Sequence, residues 1–498
     1  MKPAPSRKPL LYFLLFYTVL AFVLHSDFGL TWDESNVYMR GWLLQQSFKT
    51  GQPGLLVEKR EDPDGNEVYN HTYGMLLSLA NPSTNVDRFH GFNLATAALG
   101  YAAAYELVFQ STGDPRAALL GPVLLLLNPR FFGDSAANPK DMPFAVFNLL
   151  FLALLAALPN RRLGWKTVML GLVLFLVLSQ RLAGGSLVLL AAFWNLRLAP
   201  GNERLSPGRT ALHLAGVSAI ALLLLYGTWP YLRLAPLAHL GEILSLTAHF
   251  PYNGSVLFMG KASPVHDLAA SYPWVWLGIG VPLGILALAL AAPFLYRTGR
   301  EKPAAALVFA ALGLNLGLIL LLRPYLYDGL RHLLFLLPLL SVAAALGAWE
   351  AGRRLPKGLP RSTFIAALVL ANASTAFRMA DLHPYECVYF NEAVGGLRGA
   401  EGNFETDYWG AAYREAATWL RDHELADPKR DVRINSQGMA FQCLAFLSNR
   451  PVHWVPADAD WDYLISSTRW DGWKLAGNRA PIYSVVRDGV PLCYVFKR

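Results

Sequence analysis

A series of long apolar runs, which continues to about residue 377, is the strongest constraint on how this chain can fold. A helix needs about 20 mostly apolar residues to cross a bilayer, with a range of about 17–25. About eleven runs approach this length. The predicted spans are 10–27, 89–109, 117–130, 142–159, 165–179, 182–196, 211–229, 273–296, 304–322, 332–349 and 362–377. The sequence therefore predicts an α-helical polytopic membrane protein with about eleven transmembrane helices.

The composition agrees with this class. Hydrophobic residues make up 54% of the chain and charged residues 16%, whereas soluble domains carry about 25% charged residues. The net charge of +8 does not require a nucleic-acid partner, because membrane proteins collect Lys and Arg in their cytoplasmic loops. We expect the lipid bilayer, and no nucleic acid, as a partner.

The distribution of basic residues between loops predicts the orientation. Lys and Arg are dense in the N-terminal segment and in the short connections near residues 110–116, 159–166, 197–210, 297–303 and 350–361. They are sparser in the loops at 28–88, 130–141, 180–186, 230–272 and 323–331. Because basic loops stay inside, we expect a multi-pass protein of the inner (plasma) membrane with a cytoplasmic N-terminus. No small-residue cleavage site follows the first run, so it is expected to remain as a span.

The segment from Arg378 onward has a different pattern. "YWGAAYREAATWLRDH" has apolar residues at helical spacing. Short β-type runs follow at "DVRINSQ", "PVHWVP", "DYLISS", "IYSVV" and "PLCYVF", and Asp488-Gly489 between the last two predicts a hairpin turn. Residues 378–498 are therefore expected to form a small extracytoplasmic α/β domain after a transmembrane domain at 1–377. Within it, "NFETDYWG" is interpreted as a structural corner, and the alternative is that Asp407 or Glu405 faces the active site.

Charged residues collect at the ends of spans on the predicted outer side. The four groups are Asp33 and Glu34; Arg130, Asp134, Lys140 and Asp141; Arg181; and Arg323, Asp328, Arg331 and His332. A charge at membrane depth costs several kcal/mol unless it is paired or hydrated. The four groups together therefore predict one polar cavity at the outer membrane face.

This mixture of charges suits a lipid-linked phosphate substrate. Arg and Lys can hold a phosphate whose lipid chain stays in the bilayer. Glycosyl transfer also needs a carboxylate base for the acceptor hydroxyl and cations for the leaving phosphate. The candidate catalytic residues are Asp33, Glu34 and Asp141, and the candidate phosphate-binding residues are Lys140, Arg181, Arg331 and His332. A divalent ion held by Asp33, Glu34 and Asp141 is a further option, because hard cations take oxygen ligands, although no ligand spacing demands one.

Three motifs carry a resemblance to a known family. "TWDE" after the first span, "NPKDMP" before the fourth and "YDGLRHLLFLLPLL" at the tenth together resemble lipid-carrier-dependent glycosyltransferases of the GT-C fold. The protein O-mannosyltransferase and aminoarabinose transferase superfamily, in its broad bacterial branch, is the most similar group. The resemblance covers about residues 10–420.

The resemblance implies an enzyme that uses a polyprenyl-phosphate sugar at the outer face of the membrane and inverts the anomeric centre. It implies that Asp33 is the base, Glu34 the second acid and Asp141 the acid that opens the fourth span. Arg331 would meet the carrier phosphate, and Arg181 stands where many members have a Lys. It leaves the sugar open, and the acceptor is a protein, a lipid or a glycan.

Two other classes of function remain open. A transporter or flippase of lipid-linked substrates would be expected to show inverted repeats and midplane charges, whereas this sequence shows no short-period repeat and its charges lie at one face. A noncatalytic membrane scaffold is the third option, in which the C-terminal segment would bind partners.

Overall fold

The computed structural model describes residues 7–52, 69–81, 85–248, 254–296, 302–355, 361–427, 431–437, 439–447, 450–456 and 458–498. Parts of the predicted loops, including 53–68, 249–253 and 297–301, lie outside these ranges.

Helices dominate the described chain as far as Leu382. In chain order they are α1 (Lys8–Leu24), α2 (Trp32–Thr50), α3 (Thr72–Ala80), α4 (Val86–Thr112), α5 (Leu120–Leu126), α6 (Pro129–Ala137), α7 (Asp141–Ala157), α8 (Leu163–Gln180), α9 (Ser186–Phe193), α10 (Pro207–Thr228), α11 (Pro230–Leu234), α12 (Pro236–Ala248), α13 (Tyr272–Gly280), α14 (Leu283–Leu295), α15 (Pro303–Leu322), α16 (Leu336–Arg353) and α17 (Arg361–Leu382). A helix, or a pair of helices broken within the run, coincides with each predicted span.

The number of helices that qualify as membrane spans is smaller than the number of predicted spans. Three helical stretches of the described chain are long and apolar enough to cross a membrane: Asn160–Gln180, Pro207–Thr228 and Pro303–Leu322. The number rises to five if the pair α6 and α7, bent by 114°, and the pair α13 and α14, bent by 115°, each count as one span. The total of about eleven therefore stays a prediction.

Large apolar side chains on the outer surface of several helices fit a lipid environment. Phe22, Phe294 and Leu321 are 76%, 83% and 78% exposed. On α1, Leu15, Val19 and Phe22 share one face at helical spacing and are all exposed. Contiguous apolar surface of this kind is typical of contacts with membranes or partners.

Helix α4 lies at the centre of the helical part and contacts α1, α5, α6, α7, α15 and α16. Small residues permit this close packing, as is usual between membrane helices. A Cβ atom on Gly121 of α5 would lie 2.7 Å from the carbonyl oxygen of Ala104 in α4, and one on Gly100 would lie 3.1 Å from Val146 in α7.

The first predicted outer loop, 28–88, is largely helical where it is described. Helix α2 begins with a capping box, in which the side chains and backbone of Thr31 and Glu34 bond reciprocally. Helices α2 and α3 cross at a glycine pair: a Cβ on Gly41 would lie 2.0 Å from the backbone of Gly74. The segment was predicted as a loop because its many polar residues hide the apolar periodicity by which a helix is recognised in a sequence.

The C-terminal segment forms a mixed sheet. Strands β1 (Ser255–Phe258) and β2 (Lys261–Pro264) make a small hairpin earlier in the chain, and β3 (Val432–Asn435), β4 (Val452–Trp454), β5 (Tyr463–Ser467), β6 (Tyr483–Arg487) and β7 (Val490–Lys497) form a five-stranded sheet. Its order is β4-β3-β5-β7-β6, with β3 parallel to β4 and β5, and β7 antiparallel to β5 and β6.

These strands coincide with the predicted β-type runs, and α19 (Tyr413–His423) with the predicted helix. Two short helices, α18 (Gly396–Ala400) and α20 (Ala440–Leu444), complete the segment. The hairpin turn falls at Asp488 and Gly489, whose φ values are 49° and 77°. Helix α17 continues to Leu382, so the predicted boundary at Arg378 falls inside a helix.

The sheet region is joined directly to the start of α2. The amide of Trp32 donates to the carbonyl of Trp409 (3.1 Å). The side-chain amide of Gln442 donates to the carbonyls of Leu30 (3.1 Å) and Trp409 (2.7 Å). These bonds hold the start of α2, which includes Asp33, against the C-terminal segment.

Candidate functional site

Arg331 lies at the centre of a buried cluster of acids. It opens a short 3-10 turn that follows a left-handed backbone at Asp328 and Gly329 (φ 56° and 67°). Its Nε donates to Asp141 Oδ2 (3.2 Å), its Nη1 to Asp328 Oδ2 (3.1 Å) and its Nη2 to Asp33 Oδ2. One guanidinium thus meets three carboxylates, each through a different nitrogen.

Asp141 reaches this cluster because the chain bends sharply between α6 and α7. It is the first residue of α7, where the helix dipole favours a negative charge. Its amide donates to Asn138 Oδ1 (2.8 Å), which fixes the start of the helix. Its Oδ1 accepts a hydrogen bond from Arg181, which follows the end of α8. Asp141 therefore bridges two arginines.

Asp33 and Glu34 are adjacent in sequence but face different surroundings, because successive helical residues are about 100° apart. Asp33 faces Arg331. Glu34 is fully buried: its Oε2 accepts from the amide of Thr31 (2.7 Å), and its Oε1 accepts from the Tyr38 hydroxyl and lies 3.0 Å from His90 Nε2. The structure does not bring Glu34 to the cluster; its described bonds cap and brace α2.

Asp33 also lines a cleft that is open to solvent. The ammonium of Lys140 lies 5.0 Å from the ring centre of Tyr69, and both residues line the same cleft. The other lining residues are Asn36, Val37, Arg40, Asn70, His71, Tyr73, Gly74, Pro139, Ser179 and Gln180. A substrate in this cleft would contact Asp33 directly.

Two further neighbours of Arg331 are aromatic. Its guanidinium lies 5.1 Å from the ring centre of Trp409 and 5.7 Å from that of Tyr327. His332, a predicted phosphate-binding residue, packs edge-on against Tyr327 at 4.5 Å. The described contact of His332 is therefore with Tyr327, an aromatic neighbour of Arg331.

Arg469, from the C-terminal segment, is a member of the cluster that the sequence did not reveal. Its Nη2 donates to Asp328 Oδ1 (2.6 Å), its Nη1 donates to the carbonyl of Tyr408, and its Nε lies 3.9 Å from Glu405 Oε1. It is 141 positions from Asp328, and no motif marks it. The one available signal was an arginine beside "WDGW", a polar and aromatic turn directly after a strand.

The two acids of "NFETDYWG" differ in role. Asp407 accepts hydrogen bonds from the amides of Ala411 (3.0 Å) and Ala412 (2.9 Å), as expected of a structural corner. Glu405 lies next to Arg469, and burial raises the pKa of its carboxyl to about 8 although the Arg469 charge opposes this rise.

Electrostatics favour an ionised Asp33. Burial raises the pKa of its carboxyl, but the charges of Arg331 and Lys140 oppose burial, and the net pKa lies below the ordinary value. Asp33 is therefore a carboxylate in this arrangement and can accept a proton or a hydrogen bond.

The three acids proposed as metal ligands do not converge. Within the described ranges, no group of three or more His, Cys, Asp or Glu side chains is placed to hold a metal ion. Glu34 bonds Thr31, Tyr38 and His90, and Asp33 and Asp141 both face arginine. The donor set therefore does not fit a divalent ion held by these three residues.

No family model matches this sequence, and no curated protein matches it. Among solved structures, the chain is similar to arabinofuranosyltransferase AftD from Mycobacteria, at 14% identity and a TM-score of 0.45, over 99% of this chain and 40% of that one. Two structures of a mutant of that enzyme give 14% and 13% identity and TM-scores of 0.44 and 0.43, each over 99% of this chain and 42% of the other. This chain spans less than half the length of those chains, and the functional interpretation rests on the residues of the cluster.

Proposed function

We propose that this protein is a membrane glycosyltransferase that moves a sugar from a polyprenyl-phosphate donor to an acceptor hydroxyl at the extracytoplasmic face, with inversion. The observation that carries the proposal is the pairing of Asp33 with Arg331 at the edge of an open cleft. In this proposal the base is Asp33 and the phosphate-binding cation is Arg331, and the ion pair supports it because the two groups lie within one hydrogen bond of each other. The multi-pass placement in the inner membrane, with the N-terminus in the cytoplasm, is part of the same proposal.

In the proposed reaction, the donor phosphate is held by Arg331, Arg181 and Lys140. Asp33 takes the proton of the acceptor hydroxyl as its oxygen attacks the anomeric carbon. The bond between that carbon and the phosphate oxygen breaks, and polyprenyl phosphate leaves with the bonding electrons. The cations stabilise the charge that develops on the leaving phosphate.

The ion pair at rest also bears on how the base is activated. A carboxylate with a lowered pKa is a weak base. A donor phosphate competes with Asp33 for the guanidinium of Arg331, because guanidinium binds both groups in the same geometry. When the phosphate takes this partner, the pKa of Asp33 rises and the carboxylate becomes a stronger base. Donor binding thus precedes and promotes proton abstraction.

The test is sugar transfer by the purified protein in lipid nanodiscs. A panel of radiolabelled polyprenyl-phosphate pentoses and hexoses is offered together with extracted envelope lipids, glycans and proteins. With Asp33→Asn we expect a rate lower by roughly 10²–10⁴-fold, the usual contribution of a general base. Asp27→Asn, which removes an exposed acid that contacts His383, is the matched control. Full transfer by a folded Asp33→Asn variant would exclude Asp33 as the base.

The two bent helix pairs favour a second candidate, a transporter of the same lipid-linked substrate, because transporters build their sites from discontinuous helices. Proteoliposomes that carry a fluorescent polyprenyl-phosphate sugar separate the two. Movement of the lipid across the bilayer without cleavage would favour the transporter.

A further inference from the structure

Asp328 is shared between two arginines, one three positions away in the sequence and the other 141 positions away. Its Oδ2 accepts from Arg331 Nη1 (3.1 Å) and its Oδ1 from Arg469 Nη2 (2.6 Å). All three side chains are at least nine-tenths buried, with exposures of 4% for Asp328 and 6% for each arginine. Removal of one partner from a buried ion pair is costly, because it leaves the other charge buried and uncompensated.

Arg469 is held firmly enough to act as a support. It starts a 3-10 turn directly after strand β5, and Trp470 and Asp471 then adopt left-handed backbone (φ 54° each). Its Nη1 donates to the carbonyl of Tyr408, and its guanidinium lies 4.2 Å from the ring centre of Trp470. The side chain is therefore fixed by contacts on more than one side.

We propose that Arg469 is a positioning residue for sugar transfer: by holding Asp328, it fixes the direction in which Arg331 presents its guanidinium to Asp33, Asp141 and the donor phosphate. The C-terminal sheet would then be part of the transfer site. This inference rests on the function proposed above.

The geometry predicts how Arg331 and Asp33 would change if Arg469 were lost. Asp328 would keep Arg331 but lose its second guanidinium, so Arg331 would turn toward Asp328. The Nη2 that meets Asp33 would move with it. Asp33 would then be weakly paired, although Lys140 and Arg181 supply further positive charge and Asp141 negative charge around it. Glu405, beside Arg469, would add negative charge near Asp328 when ionised. Asp33 would then be ionised only at a higher pH, and the donor phosphate would face a displaced Arg331 guanidinium.

The experiment compares Arg469→Gln, Arg469→Lys, Asp328→Asn and the double variant Asp328→Asn/Arg469→Gln. Arg487→Gln is the matched control: Arg487 lies in strand β6 of the same sheet and contacts His383 and Glu415, away from the cluster. Each protein is studied as the full chain in nanodiscs, with thermal unfolding as a check of folding. The first readout is the pH–rate profile of sugar transfer, and the second is the affinity for geranylgeranyl phosphate.

For Arg469→Gln we expect turnover lower by roughly 10- to 100-fold, the scale of a misplacement of about 1 Å at a reacting group. The acid limb of its profile should shift to higher pH, and geranylgeranyl phosphate should bind more weakly. Arg469→Lys should recover part of each effect. In the Asp328→Asn background, Arg469→Gln should add little, because coupled residues are not additive.

Three results would overturn the proposal. The first is a pH–rate profile and an affinity for geranylgeranyl phosphate in Arg469→Gln that match those of Arg487→Gln. The second is a double variant in which the effects of Asp328→Asn and Arg469→Gln on turnover multiply, and the third is a wild-type protein that does not bind geranylgeranyl phosphate. If the wild type binds geranylgeranyl phosphate but transfers no sugar from the panel, the proposed transferase activity fails. The affinities of the variants then decide separately whether Arg469 positions Arg331.

Discussion

Asp33 and Arg331, 298 positions apart in the sequence, form an ion pair in which both side chains are almost fully buried. The pair joins the start of α2 to the turn before α16. Asp33 also lines the open cleft, so in the proposed function a donor phosphate in this cleft would meet Arg331 beside this carboxylate. The pair is the point at which the proposed base and the proposed phosphate site meet.

The geometry of Arg331 predicts that Lys cannot replace it. Its three nitrogens point to three different carboxylates, and an ammonium lacks this planar fork. Arg331→Lys should lower the rate of transfer by roughly 10²-fold, comparable to removal of one preorganised donor. Arg323→Gln, which changes an exposed arginine at the end of α15, should transfer at nearly the wild-type rate. Equal rates for the two variants would show that the fork is not used.

Glu34 should be required for stability rather than for chemistry. Glu34→Ala leaves the amide of Thr31 and the hydroxyl of Tyr38 without their buried acceptor, at a cost of about 1–3 kcal/mol. We expect a lower midpoint of thermal unfolding and near wild-type turnover in the protein that remains folded at a permissive temperature. A variant that is fully folded but inactive would show that Glu34 takes part in the reaction.

The glycine pair at the crossing of α2 and α3, Gly41 and Gly74, should not tolerate replacement by a larger residue. Gly41→Ala would place a Cβ 2.0 Å from the backbone of Gly74, so the helices must separate and one wall of the cleft would move. Overpacking of this kind costs about 1–3 kcal/mol, and occasionally more. Gly164→Ala, where nothing lies within 4 Å of the new Cβ, is the control. Thermal unfolding of the two variants should differ clearly, and similar midpoints would argue against this crossing.

Glu405 should make stability depend on pH. Its pKa is raised to about 8 in the folded protein, whereas an unfolded Glu titrates near 4.3. Between these values the folded state binds more protons, so the free energy of unfolding falls as the pH rises. This contribution is fully present below about pH 4.3 and is lost as the pH rises through about 8.

Thermal unfolding of Glu405→Gln across this range tests the prediction. The variant should lose part of the dependence on pH, because its side chain is always neutral. Glu401→Gln, at an exposed position of the same segment, should keep the wild-type dependence. A wild-type slope in Glu405→Gln would assign the dependence to other groups.

The sequence predicted most elements closely, because each carries its own local signal. The run 304–322 corresponds to Pro303–Leu322, and "PLCYVF" lies within strand β7. The structure also brings together Asp33, Asp141, Arg181 and Arg331, which the sequence grouped because their span ends were predicted on one face. This grouping depended only on the lengths of the apolar runs and on the distribution of Lys and Arg between the loops.

What the sequence missed depends on helix phase and on long-range contacts. With residues 28–88 interpreted as a loop, the residue pattern alone did not separate Asp33 from Glu34, and their different roles came from the family resemblance. In a helix the two side chains face different surroundings. Arg469 was missed for another reason. Its role depends on a contact with Asp328, 141 positions earlier in the chain. Neither the hydrophobic periodicity nor the spacing of motifs predicts a contact over that separation.

A cryo-EM structure of the Asp33→Asn variant with a polyprenyl-phosphate sugar bound would test the central claim most directly. We expect the phosphate within hydrogen-bonding distance of the Arg331 and Arg181 guanidinium groups, with the anomeric carbon facing residue 33. A phosphate bound elsewhere, for example beside Arg323 and His266 in the second cleft of the described structure, would contradict the assignment of this cluster as the transfer site.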